Sequence, residues 1–235
     1  MRKRLTMGIG VTVCAAALTG LSTTAQAREA VITSVKVTPS TVVQSTTNRK
    51  TVTVQVHTST ETDHVTATLE PVKGSGFGFI VLKQTSPGWW SGSDFIYNYD
   101  APGAWNVDID ATDYEADGPD ASKTVQISVK RNISLSKFKA SSTKVKKGRK
   151  FTLSGTLKRW DGSYQYVGYK GQKVTFYFKK KGAKTYAYAG STTTGSGGKF
   201  TKKVTASKSG TWQARYAGSS IYVAAVSATA GVTVH

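Results

Sequence analysis

After residue 30 the chain consists largely of short runs in which apolar and polar residues alternate, and helical periodicity is almost absent. In "TVTVQVH" (51–57) valines alternate with polar residues, and "KTVQISV" (123–129) repeats the pattern. A two-residue period gives a strand one buried face, which is typical of antiparallel sheets. Runs of this kind in the first half are 31–37, 51–57, 64–70, 77–83, 89–97, 104–112 and 123–129. Their regular spacing predicts a β-sandwich.

The second half of the chain repeats this plan. Its alternating runs are 132–138, 150–159, 172–179, 185–194, 198–206, 210–218 and 229–234. The segments "GAWNVDI" (103–109) and "GTWQARY" (210–216) share G-x-W followed by alternation, which indicates two copies of one fold. The predicted inward-facing rows are Trp105, Val107 and Ile109 in one copy and Trp212, Ala214 and Tyr216 in the other.

Longer stretches around these strands resemble a known family. They are "GAWNVDIDATDYEADG" (103–118), "KKGRKFTLSGTLKRW" (146–160), "YKGQKVTFYFKKKGAKTY" (169–186) and "GKFTKKVTASKSGTWQARYAGSS" (198–220). The chain is similar to secreted bacterial proteins built from tandem immunoglobulin-like domains, whose function is poorly assigned and which are sometimes labelled calcium-binding. The resemblance implies an all-β fold: two tandem immunoglobulin-like antiparallel β-sandwiches after a cleaved signal peptide.

The first 27 residues have the features of a secretory signal peptide. Arg2, Lys3 and Arg4 form a basic start, an apolar run follows, and "AQA" (25–27) is a small-residue cleavage site. The apolar run is too short to span a bilayer. The one cysteine, Cys14, lies inside this segment, so the mature protein is expected to lack disulfides. We therefore expect a secreted, extracellular protein, associated with the cell wall, with no transmembrane segment.

Charge divides the mature chain into two predicted domains, 28–131 and 132–235. The first carries 9 basic and 12 acidic side chains, a net charge of −3. The second carries 20 basic side chains against one acid, Asp161, a net charge of +19. An imbalance this large indicates the kind of partner rather than the fold.

The basic domain is predicted to bind a polyanion by releasing its condensed counterions. Lysine outnumbers arginine 17 to 3 in this half, which favours diffuse attraction over bidentate recognition. No motif for sequence-specific nucleic-acid binding is present, so the expected partner is an anionic cell-wall polymer, another polyanion or a secreted protein. The candidate polyanion-binding residues are Lys144, Lys146, Lys147, Arg149, Lys150, Lys179, Lys180, Lys181, Lys184, Lys202 and Lys203.

An acidic stretch, "NVDIDATDYEADGPD" (106–120), stands out in the first domain. Asp108 and Asp110 alternate with apolar residues and should therefore point outward. Residues 113–118 have the acidic spacing and the glycine of a calcium loop, but Thr124 stands where the bidentate Glu belongs. The candidate calcium ligands are Asp108, Asp110, Asp113, Glu115 and Asp117. A solvated hairpin and docking of the acidic stretch on the basic domain are the alternatives, and no other cofactor is expected.

Trp89 and Trp90 are consecutive in one predicted strand, so their indoles should lie on opposite faces. One indole is predicted to enter the core. We expect a loop such as residues 73–79 to cover the other, and the alternative is an exposed indole of the kind that carbohydrate-binding sandwiches often have.

Catalytic motifs are absent from the sequence. His57, His64 and His235 are scattered, and no nucleophile elbow, zinc-protease helix or phosphate loop is present. The sequence therefore predicts a non-enzymatic binding or structural protein. The alternatives are a calcium-binding module that uses the acidic stretch, and an adaptor subunit of a secreted assembly held by sheet-edge pairing.

Overall fold

The structure, a computed structural model, describes residues 30–60, 62–113 and 120–235. Within these residues the chain forms β-strands almost throughout, with one short 3₁₀ turn at Ser196–Gly198. The all-β fold class is confirmed. The predicted signal peptide, residues 1–27, lies outside the described residues.

The described residues before Asn132 form a first sandwich of two sheets. Its strands are β1 (Ile32–Thr38), β2 (Thr41–Gln44), β3 (Arg49–Thr58), β4 (His64–Pro71), β5 (Gly78–Val81), β6 (Lys83–Ser86), β7 (Trp89–Tyr97), β8 (Gly103–Thr112) and β9 (Ala121–Arg131). One sheet has the order β1-β3-β7-β6, and the other has the order β2-β9-β8-β4-β5.

The residues after Asn132 form a second sandwich. Its strands are β10 (Ile133–Ala140), β11 (Lys144–Val145), β12 (Lys150–Trp160), β13 (Tyr166–Gly168), β14 (Lys173–Lys180), β15 (Ala187–Thr193), β16 (Lys199–Thr205), β17 (Gly210–Tyr216), β18 (Ala225–Val226) and β19 (Ala230–Val234). One sheet has the order β10-β12-β13, with β16 also paired to β12. The other has the order β11-β19-β17-β14-β15, with β18 paired to β17.

The two sandwiches share the arrangement of eight strands, and only β6, β13 and β18 have no counterpart. The sheet β2-β9-β8-β4-β5 corresponds strand for strand to β11-β19-β17-β14-β15, and β1-β3-β7 corresponds to β10-β12-β16. Trp105 in β8 and Trp212 in β17 occupy equivalent central strands, and both are buried. Both inward-facing rows predicted from the G-x-W segments are confirmed, because every member is buried. Each sandwich encloses its own hydrophobic core.

Some strands differ from the prediction. The run 77–83 is one predicted strand, yet β5 and β6 belong to different sheets. Ile80 and Leu82 are both buried, so the chain crosses the sandwich there instead of continuing along one sheet. Strands β2 and β11 pair in parallel with β9 and β19. They are only four and two residues long, too short to show a period.

Of the two consecutive tryptophans, one enters the core as predicted and the other is not covered by a loop. Trp90 is buried, and its Nε1–H donates to Thr58 Oγ1 at 3.0 Å. Trp89 is 48% exposed, and its ring contacts His57, with 4.3 Å between ring centroids. The predicted loop cover of the second indole is therefore wrong, because Trp89 is held by an imidazole from the neighbouring strand and keeps about half of its surface in solvent.

A single residue, Asn132, separates β9 from β10. The Arg131 N–H donates to the Ile221 carbonyl (2.7 Å), and the Arg131 carbonyl accepts from the Val223 N–H (3.1 Å). The Asn132 N–H donates back to the Gln44 carbonyl at 2.9 Å. This joint is therefore bonded to both sandwiches. That 28–131 and 132–235 are separate folding units stays a prediction.

Candidate anion-binding surface

A groove lies on the second sandwich where β14 ends and β17 begins. Its volume is about 540 Å³, and we call it the distal groove. Four of its lining residues are lysines, and the rest are small or hydroxyl-bearing residues and one valine. The lining residues are Thr143, Lys144, Lys179, Lys180, Lys181, Gly182, Ala183, Ser209, Gly210, Thr211, Gly231, Val232 and Thr233.

Local structure places the lysines of the distal groove. The run 179–181 leaves β14 through a turn in which Gly182 has a φ of 85°, a conformation that glycine adopts without strain. The Lys181 N–H donates to the Ser209 carbonyl, and the Ala183 N–H donates to the Lys180 carbonyl, both at 2.9 Å. Strand β11 runs parallel to β19 and brings Lys144 beside Thr233. Lysines from two distant segments of the chain therefore line one groove.

The centre of the distal groove is open because of glycine. A Cβ added to Gly231 would meet no other atom within 4 Å. Gly231 pairs with Thr211 across β19 and β17, so this space lies on the outer face of the sheet. A strand glycine often marks a place where another chain or ligand approaches the backbone closely.

The one acid of the second sandwich is used elsewhere. The Asp161 carboxylate accepts from the backbone N–H groups of Ser163 (2.9 Å), Tyr164 (3.2 Å) and Gln165 (3.4 Å). These hydrogen bonds, led by the one from Ser163, lower the pKa of Asp161 below its ordinary value. The Asp161 carbonyl also accepts from Arg131 Nη1 at 3.1 Å, which places this turn at the joint.

The distal groove lies at the opposite end of the sandwich from this turn. Strand β17 begins at the groove with Gly210 and ends with Tyr216, whose ring contacts Tyr169 (6.0 Å between centroids). Tyr169 in turn contacts Tyr222, which forms a backbone bridge with Arg131 at the joint. Among the described residues, no Asp or Glu side chain therefore lines the distal groove.

The other predicted polyanion-binding residues do not join the distal groove. Lys146, Lys147 and Arg149 are exposed in the turn between β11 and β12, and Lys150 is exposed where β12 begins. Lys184 is exposed in the connection after β14. None of these residues lines the distal groove.

The last two predicted lysines, Lys202 and Lys203, are adjacent in β16 but differ in their surroundings. Lys203 is exposed on the outer face of its sheet. Lys202 is half-buried, and its Nζ donates to the Ser191 carbonyl of β15 at 3.2 Å. The Lys202 ammonium therefore links the two sheets of the sandwich, a contact that the sequence did not indicate.

Sequence reasoning missed a second cluster. Lys137, Lys139 and Lys199 line a shallower groove of about 290 Å³, the lateral groove, on the outer face of β10, β12 and β16. The chain bulges between Ser136 and Lys139, and Lys137 has a φ of 54° there. Alternation alone does not show a bulge, so no feature of the sequence pointed to this cluster.

The acidic stretch is only partly described. Asp108 and Asp110 lie on the outer face of β8, as predicted, and Asp108 Oδ1 accepts from Thr124 Oγ1 at 2.5 Å. Asp113 is buried, and Glu115 and Asp117 lie outside the described residues. Within the described ranges, no three His, Cys, Asp or Glu side chains group as metal ligands. The calcium site stays a prediction.

Comparisons with known proteins add little to this geometry. No protein-family model matches the chain, and no curated protein matches it. The chain is similar to murine CEACAM1b, with 13% identity, a TM-score of 0.44, and coverage of 88% of this chain and 100% of that one. It is also similar to a DUF4785 family protein from Legionella pneumophila, with 12% identity, a TM-score of 0.44, and coverage of 77% and 50%.

A third similar structure is the D0-D1 domain of intimin. It has 16% identity and a TM-score of 0.32, and the match covers 86% of this chain and 98% of that one. At these identities and TM-scores the likeness carries no functional argument, so the immunoglobulin-like assignment rests on the strand order. Across the described part of the chain, no helix is long and apolar enough to span a bilayer.

Proposed function

We propose that this protein is a secreted, non-catalytic binding protein whose second sandwich associates with an anionic polymer of the cell wall. The observation that carries the proposal is that Lys144, Lys179, Lys180 and Lys181 line the same distal groove. Residues 132–235 carry 20 basic side chains against one acid, and a bound polyanion relieves the repulsion within this excess of positive charge.

The groove suits ionic association better than catalysis. Within the described residues its lining has ammonium and hydroxyl groups but no carboxylate, imidazole or thiol. Those missing groups are the ones that most often transfer protons or act as nucleophiles in enzymes. Lysine ammonium groups act as mobile point charges, which fit the irregular spacing of anionic groups along a flexible polymer.

The test uses the mature protein and isolated cell walls across a salt series. Each lysine that neutralises an anionic group should add about 0.7 to the slope of log affinity against log salt. Four contacts therefore predict a loss of affinity of roughly 50-fold for a fourfold rise in salt. A variant with Lys144→Gln, Lys179→Gln, Lys180→Gln and Lys181→Gln should lose most of the binding and most of this slope.

A matched variant distinguishes the effect of the distal groove from the effect of net charge. Lys137→Gln, Lys139→Gln, Lys199→Gln and Lys203→Gln remove the same charge from the outer face of the opposite sheet, where all four residues are exposed. The proposal expects this variant to keep most of the wild-type affinity. If both variants lose affinity equally, total charge is responsible and the distal groove is not the site.

A third variant tests the groove without removing a cation. Gly231→Glu should be tolerated because a Cβ at this position meets no neighbouring atom, and it places a carboxylate among the lysines. We expect cell-wall binding to fall at least as far as in the four-lysine variant, while Gly231→Gln should have a smaller effect.

If the protein binds no cell wall at low salt but retains one secreted protein at high salt, the adaptor role replaces this proposal.

A further inference from the structure

Three tyrosines gather on the outer face of the sheet that carries the distal groove. Tyr177 of β14 pairs directly with Tyr188 of β15, and their rings meet edge to face with 6.3 Å between centroids. Tyr188 is 64% exposed. Tyr186 lies immediately before β15 and is half-buried. Large aromatic side chains on an outer sheet face are not needed for the core, which is filled from the other face.

Cations fix these rings in place. The Arg215 guanidinium carbon lies 4.2 Å from the centroid of Tyr177 and 5.6 Å from that of Tyr186. Lys179 Nζ lies 5.2 Å from the centroid of Tyr186. Arg215 also donates from Nε and Nη2 to Gln213 Oε1, at 3.1 and 3.0 Å. Contacts of this kind hold side chains in one arrangement, which lowers the entropy lost on binding a ligand.

The tyrosines and the distal groove form one continuous surface. Lys179 contacts Tyr186 and also lines the groove. Thr211 lines the groove as well, and its Oγ1 lies 3.3 Å from the Tyr186 hydroxyl. We call the set Tyr177, Tyr186, Tyr188, Gln213 and Arg215 the tyrosine platform.

We propose that the tyrosine platform binds the sugar rings of an acidic polysaccharide, whose carboxylates pair with Arg215 and with the lysines of the distal groove. The proposal rests on the proposed function and names its ligand class. The C–H face of a sugar ring is weakly positive and packs against the negative face of an aromatic ring. The planar guanidinium of Arg215 matches a carboxylate in shape and charge.

The surroundings favour sugar over single-stranded nucleic acid. Arg215 already lies over Tyr177, and both Arg215 and Lys179 contact Tyr186, which leaves Tyr188 as the most open ring. Successive bases need successive open rings, whereas one sugar ring needs only one. Hydroxyl-bearing residues on the same two strands suit sugar hydroxyls, because Thr175 and Ser191 pair across β14 and β15 next to the pair of Tyr177 and Tyr188.

The experiment measures binding of the mature protein to three polymers at low salt. Polygalacturonate carries sugar rings and carboxylates, polyglutamate carries carboxylates without sugar rings, and oligothymidylate is a single-stranded nucleic acid. We expect Tyr188→Ala to weaken polygalacturonate binding about tenfold and to leave polyglutamate binding unchanged. Tyr188→Phe, which keeps the ring, should bind polygalacturonate like the wild type.

Tyr164→Ala is the matched control, because Tyr164 is 92% exposed but lies in the turn beside Asp161 at the joint. It should change none of the three affinities. If Tyr188→Ala leaves polygalacturonate binding unchanged, or weakens polyglutamate binding equally, the tyrosine platform is wrong. If it weakens oligothymidylate binding more than polygalacturonate binding, the ligand is nucleic acid and the polysaccharide proposal is overturned.

The four-lysine variant keeps this result distinct from the proposed function. The proposed function stands if that variant loses affinity for polygalacturonate and polyglutamate alike, whatever Tyr188→Ala does. The platform proposal fails if the wild-type protein binds neither polymer at low salt, whereas the proposed function is then decided by the salt series with isolated cell walls.

Discussion

The two sandwiches share the order of their common strands, but their outward-facing side chains carry opposite charges. Strand β8 reads G-A-W-N-V-D-I and strand β17 reads G-T-W-Q-A-R-Y from their first residues. Their inward positions are apolar in both copies, but the outward position that holds Asp108 in β8 holds Arg215 in β17. In the first sandwich the carboxylate accepts a hydrogen bond from Thr124, whereas in the second the guanidinium lies over Tyr177. The inward residues therefore maintain a common fold, and the outward residues set the chemistry of each surface.

The difference extends over the whole surface. Residues 28–131 carry a net charge of −3 and residues 132–235 a net charge of +19. Nothing in a sandwich fold requires such a difference, because outward side chains of a sheet are free to vary while the buried rows are kept. The contrast is therefore the reason for proposing that the second copy is the one that binds a partner.

The largest expected effect tests whether the two tryptophans are equivalent. Trp105 and Trp212 are both buried, so Trp105→Ala and Trp212→Ala should each lower the free energy of unfolding by about 3–5 kcal/mol. Each substitution should destabilise only the sandwich that contains it, so that each variant unfolds in two separate transitions in denaturant. Trp89→Ala, at a half-exposed position, is the matched control and should cost much less. A single shared transition in both buried variants would show that the halves fold as one unit.

A smaller effect is expected at the joint. Arg131 Nη1 donates to the Asp161 carbonyl, and a Cβ at Gly162 would lie 2.4 Å from the Arg131 guanidinium, so this side chain packs tightly between the sandwiches. Arg131→Ala should lower the free energy of unfolding by about 1.5–3 kcal/mol and widen the distribution of interdomain distances in solution scattering.

Lys130→Ala is the control for the joint, because its Nζ makes only an exposed hydrogen bond to the Ser219 carbonyl, at 3.0 Å. It should leave the scattering curve unchanged. If Arg131→Ala also leaves the curve unchanged, the backbone hydrogen bonds of Arg131 and Asn132 are sufficient to fix the angle between the sandwiches.

The smallest effect concerns pH and is confined to the second sandwich. Burial, followed by a hydrogen bond with Tyr216, raises the pKa of Tyr169 to about 12. The neutral phenol is therefore favoured in the folded state. Its contribution to stability is complete below about pH 10, the ordinary tyrosine pKa, and is lost as the pH rises towards 12.

Tyr169→Phe removes this ionisation. The variant should be slightly less stable than the wild type at neutral pH, because it loses the hydrogen bond, and the gap should shrink between about pH 10 and pH 12. Phenolate absorbance should show one late-titrating tyrosine in the wild type that the variant lacks. A constant gap across this pH range would mean that Tyr169 titrates normally.

Much of the fold follows from the sequence because alternation is a local property. The inward rows at Trp105 and Trp212, the outward direction of Asp108 and Asp110, and the two-copy plan all depend on a period of two within one strand. The charge division between the halves also needs no structure, since it is a count along the chain.

The tertiary structure decided which of these side chains meet. Lys144 lines the same groove as Lys179, Lys180 and Lys181 because β11 lies beside β19, and a two-residue strand leaves no pattern in the sequence. Charge alone predicts Lys202 to be a polyanion-binding residue like Lys203, but its Nζ donates a hydrogen bond to the Ser191 carbonyl. Tyr177, Tyr188 and Arg215 share a surface because of the registers that join β14 to β15 and β17, and a shift of one residue would separate them. Alternation within a strand is encoded locally, whereas register and strand neighbours depend on how the whole core packs.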